Sequence, residues 1–188
     1  MPFFTSFFNI MKKISNCPSW LVSLVFLLIC YYVVNGDFIG VEHVKQISGG
    51  VAILDTYFYY PADQIFSLLN SLGEVGRDAY LLLNLLDFLF PISYALFFGI
   101  SLTMTYTFIY PPESKINGLI LLPFVTLLVN YAEVIGVRLM LLNYPAQVPW
   151  AAQAVSLLIP LKFTLIVVCG LLILQGNMKV TNKLYKKK

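Results

Sequence analysis

At 188 residues the chain has the length of a single domain, and 59% of it is hydrophobic while only 11% is charged, against roughly 25% charged in an ordinary soluble domain. With a mean hydropathy of +0.81, this composition excludes a soluble globular protein and assigns the chain to a lipid bilayer. The net charge of +3 comes largely from C-terminal lysines, for which an anionic membrane surface is the nearer partner than nucleic acid, at about 1 kcal/mol per basic residue.

A span needs about 20 apolar residues, and four runs qualify in chain order. The first extends from Trp20 to Val34 and is the shortest. Lys12 and Lys13 precede it, as they would precede a signal peptide, but no small-x-small cleavage site follows. Tyr31 and Tyr32 suit interfacial anchors at the end of a retained helix.

Residues 35–79 come next and are too long for a simple connection. Val51-Ala52-Ile53-Leu54 and Tyr57-Phe58-Tyr59-Tyr60 are too apolar for a solvated linker. Pro61 suits the first turn of a helix carrying Ile65, Phe66, Leu68, Leu69 and Leu72, which Gly73 would stop. The expectation is a helical extracytoplasmic cap lying on the outer leaflet. Gly73 and Gly76 bracket a tight connection, after which Arg77 marks the interface or pairs with Asp78 or Asp87.

The second run covers 80–109, the third 118–142 and the fourth 149–174. Pro123 and Pro160 would kink the last two. Lys12, Lys13, Lys115, Lys179, Lys183, Lys186, Lys187 and Lys188 all fall on one side of such a topology, while the acids of the first loop fall on the other. The positive-inside rule then puts both termini in the cytoplasm, with the plasma membrane as the expected location. The architecture read from residues 1–188 is an all-α integral membrane four-helix bundle with a cap between helices 1 and 2.

Within these runs, Asn84/Asp87 and Asn130/Glu133 stand out, because an ionisable group among Leu, Phe and Val is costly and has a reason to be there. Tyr80, Asn84, Asp87, Pro91 and Tyr94 recur at steps of four and three, which sets them on one helix face. Pro91 has no N–H to return to the carbonyl of residue 87. Counting at about 1.5 Å per residue, Asp87 lies roughly 10 Å in from Tyr80 and Glu133 about 13 Å in from Leu142. Lys162 falls about 18 Å down the fourth run, level with Asn130, and Arg138 lies shallower, near Asp87.

Two acids and two bases balance, and the pairs Asp87/Arg138 and Glu133/Lys162 would serve as structural clasps. Equally, Asn84, Asp87, Tyr94, Asn130, Glu133, Arg138 and Lys162 together would line a polar pocket open to the outer leaflet. Such a pocket would bind a small molecule or a lipid headgroup, in transport or sensing. Alternatives are a lipid-modifying enzyme with Asp87 and Glu133 as acid and base, or an accessory subunit for another membrane protein.

Familiar catalytic motifs are missing: there is no Gly-x-Ser-x-Gly, His-Glu-x-x-His, Walker loop or Gly-x-Gly-x-x-Gly. His43 is the one histidine, so a His-rich metal site is not expected, nor is a cofactor. Cys17, Cys30 and Cys169 form no Cys-x-x-Cys pair and read as small apolar side chains.

Leu54-Asp55-Thr56, Leu72-Gly73, Gly76-Arg77 through Tyr80, Asp87 with Phe90-Pro91 and Tyr94, Tyr131-Ala132-Glu133 and Tyr144-Pro145 form a pattern that resembles a family of uncharacterised bacterial four-span membrane proteins. The resemblance covers most of the chain beyond Gly50 and implies the architecture without an activity. Tyr57 stands where that pattern would carry a basic residue after Asp55-Thr56.

Overall fold

A computed structural model describes residues Pro2 to Lys186; Lys187 and Lys188, counted above toward the topology, lie outside them. The described residues form an all-helical bundle in which four helical stretches are long and apolar enough to cross a membrane: Cys17–Asn35, Gly73–Ile109, Lys115–Asn143 and Pro149–Tyr185.

Helix α1, Pro2–Ile14, precedes the first of these and was not foreseen from the apolar runs. Phe8 and Met11, one turn apart, are buried against the bundle, and Phe7 meets Phe124 edge-on. Lys12 and Lys13 close its last turn, where cations suit the helix dipole. Helix α2, Cys17–Asn35, begins three residues before the expected Trp20, because Asn16 caps it through Ser19 N at 2.9 Å and Pro18 sits in its first turn. Its outward side chains, Leu21, Val22, Val25, Leu28 and Ile29, are exposed, as a lipid-facing surface requires. Trp20 donates its indole N–H to Ser101 at 2.9 Å and ties α2 to the helix beside it.

Between α2 and the next span lie α3, Val41–Ile47, a single 3₁₀ turn over Leu54–Thr56, a second over Ala62–Gln64, and α4, Ile65–Ser71. The cap does not lay its apolar face on the leaflet. Ile53, Leu54, Ile65, Leu68, Leu69 and Leu72 are buried in one core with Tyr80, Leu83, Val137, Met140 and Val155 from the spans. That contact removes six large side chains from water, each worth about 1.5–3 kcal/mol, and plugs one end of the bundle. Phe38, Phe58 and Tyr59 remain exposed at its rim.

Gly73 adopts φ +68 at the junction of α4 and α5, a conformation glycine takes without steric cost. It ends the cap helix as expected, and the next helix starts at once: α5 covers Gly73–Leu86. The second span is therefore two helices, α5 and α6 (Phe90–Ile109), separated by a tightened turn at Asp87–Leu89. Pro91 explains the break, since its ring cannot continue the hydrogen bonding of α5. Phe88 and Leu89 N–H turn instead to the carbonyls of Leu85 and Leu86, at 3.4 and 2.9 Å.

Helix α7 runs over Leu122–Asn143, preceded by 3₁₀ structure over Lys115–Leu121; Pro123 opens α7 instead of kinking it in mid-span. Gly136 lets α7 approach α8, for a Cβ there would come within 2.6 Å of Val155 Cγ2. Helix α8, Pro149–Tyr185, contains Pro160 and continues past the expected end at Leu174. At about 1.5 Å per residue it is about 55 Å long, well beyond the hydrocarbon thickness of about 30 Å. The extra turns are held at the end of α6, where Lys183 donates to Phe108 O at 2.8 Å and Lys179 to the Tyr110 hydroxyl at 2.7 Å. Helix α1 and the end of α8 both pack at the end of the bundle formed by the later part of α6.

Candidate functional site

Lys162 on α8 and Glu133 on α7 face each other in the bundle interior. The ammonium is 2.7 Å from both carboxylate oxygens, with side chains 6% and 0% exposed. The cap adds a third member that the sequence reading did not include: Asp55, in the turn between buried Leu54 and Thr56, brings Oδ1 to 3.6 Å from the same ammonium. Its other oxygen accepts the Tyr80 hydroxyl at 2.6 Å. One base is thus flanked by two acids, and the cap is fastened to α5 and α8 through polar groups as well as leucines.

Asn84 and Asp87 lie on the same face of α5, one turn apart. Asn84 donates Nδ2 to Val134 O at 3.1 Å, and its Oδ1 is buried without a donor. Asp87, the first residue of the broken turn, is 8% exposed. Among the described residues no hydrogen bond or ion pair within 4.0 Å reaches its carboxylate. The expected partner does not arrive: Arg138 is half-buried, with Nη1 unsatisfied, and makes no ion pair with Asp87. Arg138 leaves α7 five residues beyond Glu133, and 500° of helical rotation at 100° per residue turns it well away from Glu133. Depth arithmetic alone ignored that angle.

Arg77 is likewise paired with neither Asp78 nor Asp87. Its guanidinium lies 3.8 Å over the Tyr144 ring and donates to Leu69 O at 3.1 Å. Tyr94 donates to Thr126 O at 3.4 Å. Tyr131 donates to Phe88 O at 3.0 Å and so satisfies a carbonyl of the broken turn beside Asp87, as membrane-embedded breaks require.

Asp55, Asp87, Asn130 and Lys162 converge on one cavity of about 480 Å³. It lies beneath α2 and the cap, with Thr56 and Asn35 also on its polar side and Tyr31, Val34, Phe90, Phe163 and Ile166 on its apolar side. Asn84, Tyr94, Glu133 and Arg138 do not line it, although Glu133 holds Lys162, which does. A larger cavity of about 770 Å³ lies between the cap and the start of α8, but its one acid, Asp63, is exposed. An unpartnered buried carboxyl group, that of Asp87, distinguishes the smaller cavity. No group of His, Cys, Asp or Glu with a metal-binding arrangement occurs among the described residues.

The signal for Asp55 in the sequence was an acid between the apolar run 51–54 and the aromatic run 57–60. Its contact with Lys162 depends on how the cap folds, which local periodicity does not report. No family model, curated protein or solved structure matches the chain.

Proposed function

We propose that this multi-pass membrane protein binds a small molecule or a lipid headgroup in the cavity between the cap and the spans, in the service of transport or sensing. The observation that carries this is Asp87, a carboxylate 8% exposed that lines a 480 Å³ cavity with no partner of its own. An ionised carboxylate in such surroundings costs several kcal/mol unless something meets it. The cavity volume lies within the range of small-molecule sites, about 300–1,000 Å³.

Use of Asp87 and Glu133 as an acid and base pair in a lipid-modifying enzyme is less well supported, since Glu133 is already held by Lys162 at 2.7 Å. The accessory-subunit alternative draws support from that same clasp and its link to Asp55. Localisation in the plasma membrane with cytoplasmic termini is part of the proposal. Its support is the concentration of lysines at the ends of α1 and α8 and at Lys115, opposite an acid-rich cap. Membrane lipids, and a further membrane protein beside the exposed faces, are the proposed surroundings.

The test is native mass spectrometry of the purified protein and of Asp87→Asn, with thermal unfolding of both in a neutral detergent. A folded Asp87→Asn that has lost a molecule retained by the wild type supports the binding site. Retention of every bound species by Asp87→Asn, or unfolding of Asp87→Asn with no bound species ever seen on the wild type, overturns it.

A further inference from the structure

The ionisable groups that line the cavity are unevenly paired. The carboxyl group of Asp87 has no hydrogen-bond donor or ion-pair partner within 4.0 Å among the described residues. Thr56 already donates its hydroxyl to Ile53 O at 2.7 Å, so toward the cavity it is left as an acceptor. The one cation at the cavity, Lys162, is occupied by Glu133 and Asp55. Lys162 is thus shared between Asp55 and Glu133, and Asp87, which also lines the cavity, is left without a cation.

Apart from the amides of Asn35 and Asn130, the remaining walls are apolar and aromatic. Phe90 adjoins Asp87 in sequence across the broken turn, Phe163 adjoins Lys162, and Ile166 and Val34 continue the surface along α8 and α2. An anionic ligand would meet Asp87 with like charge and find no free base. A neutral one would leave the surplus carboxylate unbalanced. A cation with N–H donors supplies both deficits, and an attached hydrocarbon matches the apolar walls.

Resting on the binding-site proposal above, we infer that the ligand is a protonated amine carried on an apolar chain, its ammonium donating to Asp87 and its chain lying along Phe90, Phe163 and Ile166. The same chemistry is available from a free alkylamine or from the ethanolamine headgroup of a lipid. Quaternary ammonium would satisfy the charge but not the acceptors, and is expected to bind more weakly.

The experiment is thermal unfolding of the full chain in a neutral detergent with added dodecylamine, dodecyltrimethylammonium, dodecanol or sodium chloride, and separately in nanodiscs of phosphatidylcholine with and without phosphatidylethanolamine. Two variants accompany the wild type: Asp87→Asn removes the charge, and Ile166→Trp fills the cavity from a partly exposed position away from the ion pairs. Dodecylamine at a hundredfold excess over its Kd is expected to raise the wild-type unfolding temperature by about 5–10 °C, with a smaller response to dodecyltrimethylammonium, none to dodecanol or sodium chloride, and none in either variant.

An Asp87-dependent response to dodecylamine alone assigns a free amine. An Asp87-dependent response to phosphatidylethanolamine assigns the lipid headgroup, and both uphold the inference. Equal stabilisation by dodecanol, an equal effect of sodium chloride, or a full amine response in Asp87→Asn overturns it. If no amine acts but the wild type retains a neutral or anionic molecule that Ile166→Trp loses, the amine falls while the binding site stands. If nothing binds and Ile166→Trp behaves as the wild type in every condition, both fall.

Discussion

Lys162 and Glu133, 29 residues apart and on adjacent helices, hold each other at 2.7 Å where the carboxylate is wholly buried. A pair in that setting is weak evidence for net stability, because two desolvated charges cost nearly as much as their attraction returns. Breaking it is a different matter. Glu133→Gln leaves Lys162 with only Asp55, at 3.6 Å, and is expected to lower stability by about 3 kcal/mol. Replacing both members together, Glu133→Leu with Lys162→Leu, should recover much of that loss. Unfolding temperature in detergent reads both effects, and a Glu133→Gln protein as stable as the wild type would remove the clasp.

Tyr80 and Asp55 form the corresponding fastening for the cap, at 2.6 Å. Tyr80→Phe keeps the buried ring and deletes the donor, leaving one oxygen of a partly exposed carboxylate unsatisfied. The expected loss is about 1 kcal/mol, below the usual value for a charged hydrogen bond because water can reach Asp55. The local readout is more specific than the global one: amide hydrogen exchange over Leu54–Thr56 should accelerate while that of α7 does not. Unchanged exchange in that turn would mean that the leucine core alone holds the cap.

The spans were legible because a run of apolar residues longer than about 20 has few alternatives to crossing a bilayer. The break in the second span was also written in the sequence, in Pro91, four residues after Asp87. Helix α1 was not, since its buried positions, Phe8 and Met11, are too few to form an apolar run, and their partners lie on α6 and the segment before α7. The Asp87/Arg138 pairing went astray for a related reason: depth along a helix is read from residue count, but contact also requires azimuth, and azimuth depends on how neighbouring helices are rotated. Asp55 was hidden because a cap residue can reach any part of the bundle end, and only the folded loop selects Lys162.

Gly136 lies on the face of α7 that packs on α8. A Cβ added there would stand 2.6 Å from Val155 Cγ2, and Val155 is fully buried and β-branched, with little freedom to move aside. Gly136→Ala is therefore expected to destabilise by about 1–3 kcal/mol despite the better helix propensity of alanine. Val155→Ala in the same chain should relieve the clash, so the double variant would be more stable than the sum of the single effects predicts. Additive losses would mean that the helices separate to accommodate the methyl group.

Arg77 covers the Tyr144 ring at 3.8 Å, donates to Leu69 O at 3.1 Å, and so joins the start of α5 to the α7–α8 connection and to the cap. Tyr144 in turn donates to Asn70 at 2.7 Å, closing a circuit around α4. A planar guanidinium can stack and donate sideways at the same time, whereas an ammonium cannot preserve both contacts. Arg77→Lys should then cost about 1 kcal/mol although the charge is kept, and Tyr144→Leu a similar amount. Because the two residues touch, a double-mutant cycle should return a coupling of about 0.5–1 kcal/mol. A coupling near zero would reduce Arg77 to an interfacial charge, and Arg77→Lys would then be as stable as the wild type.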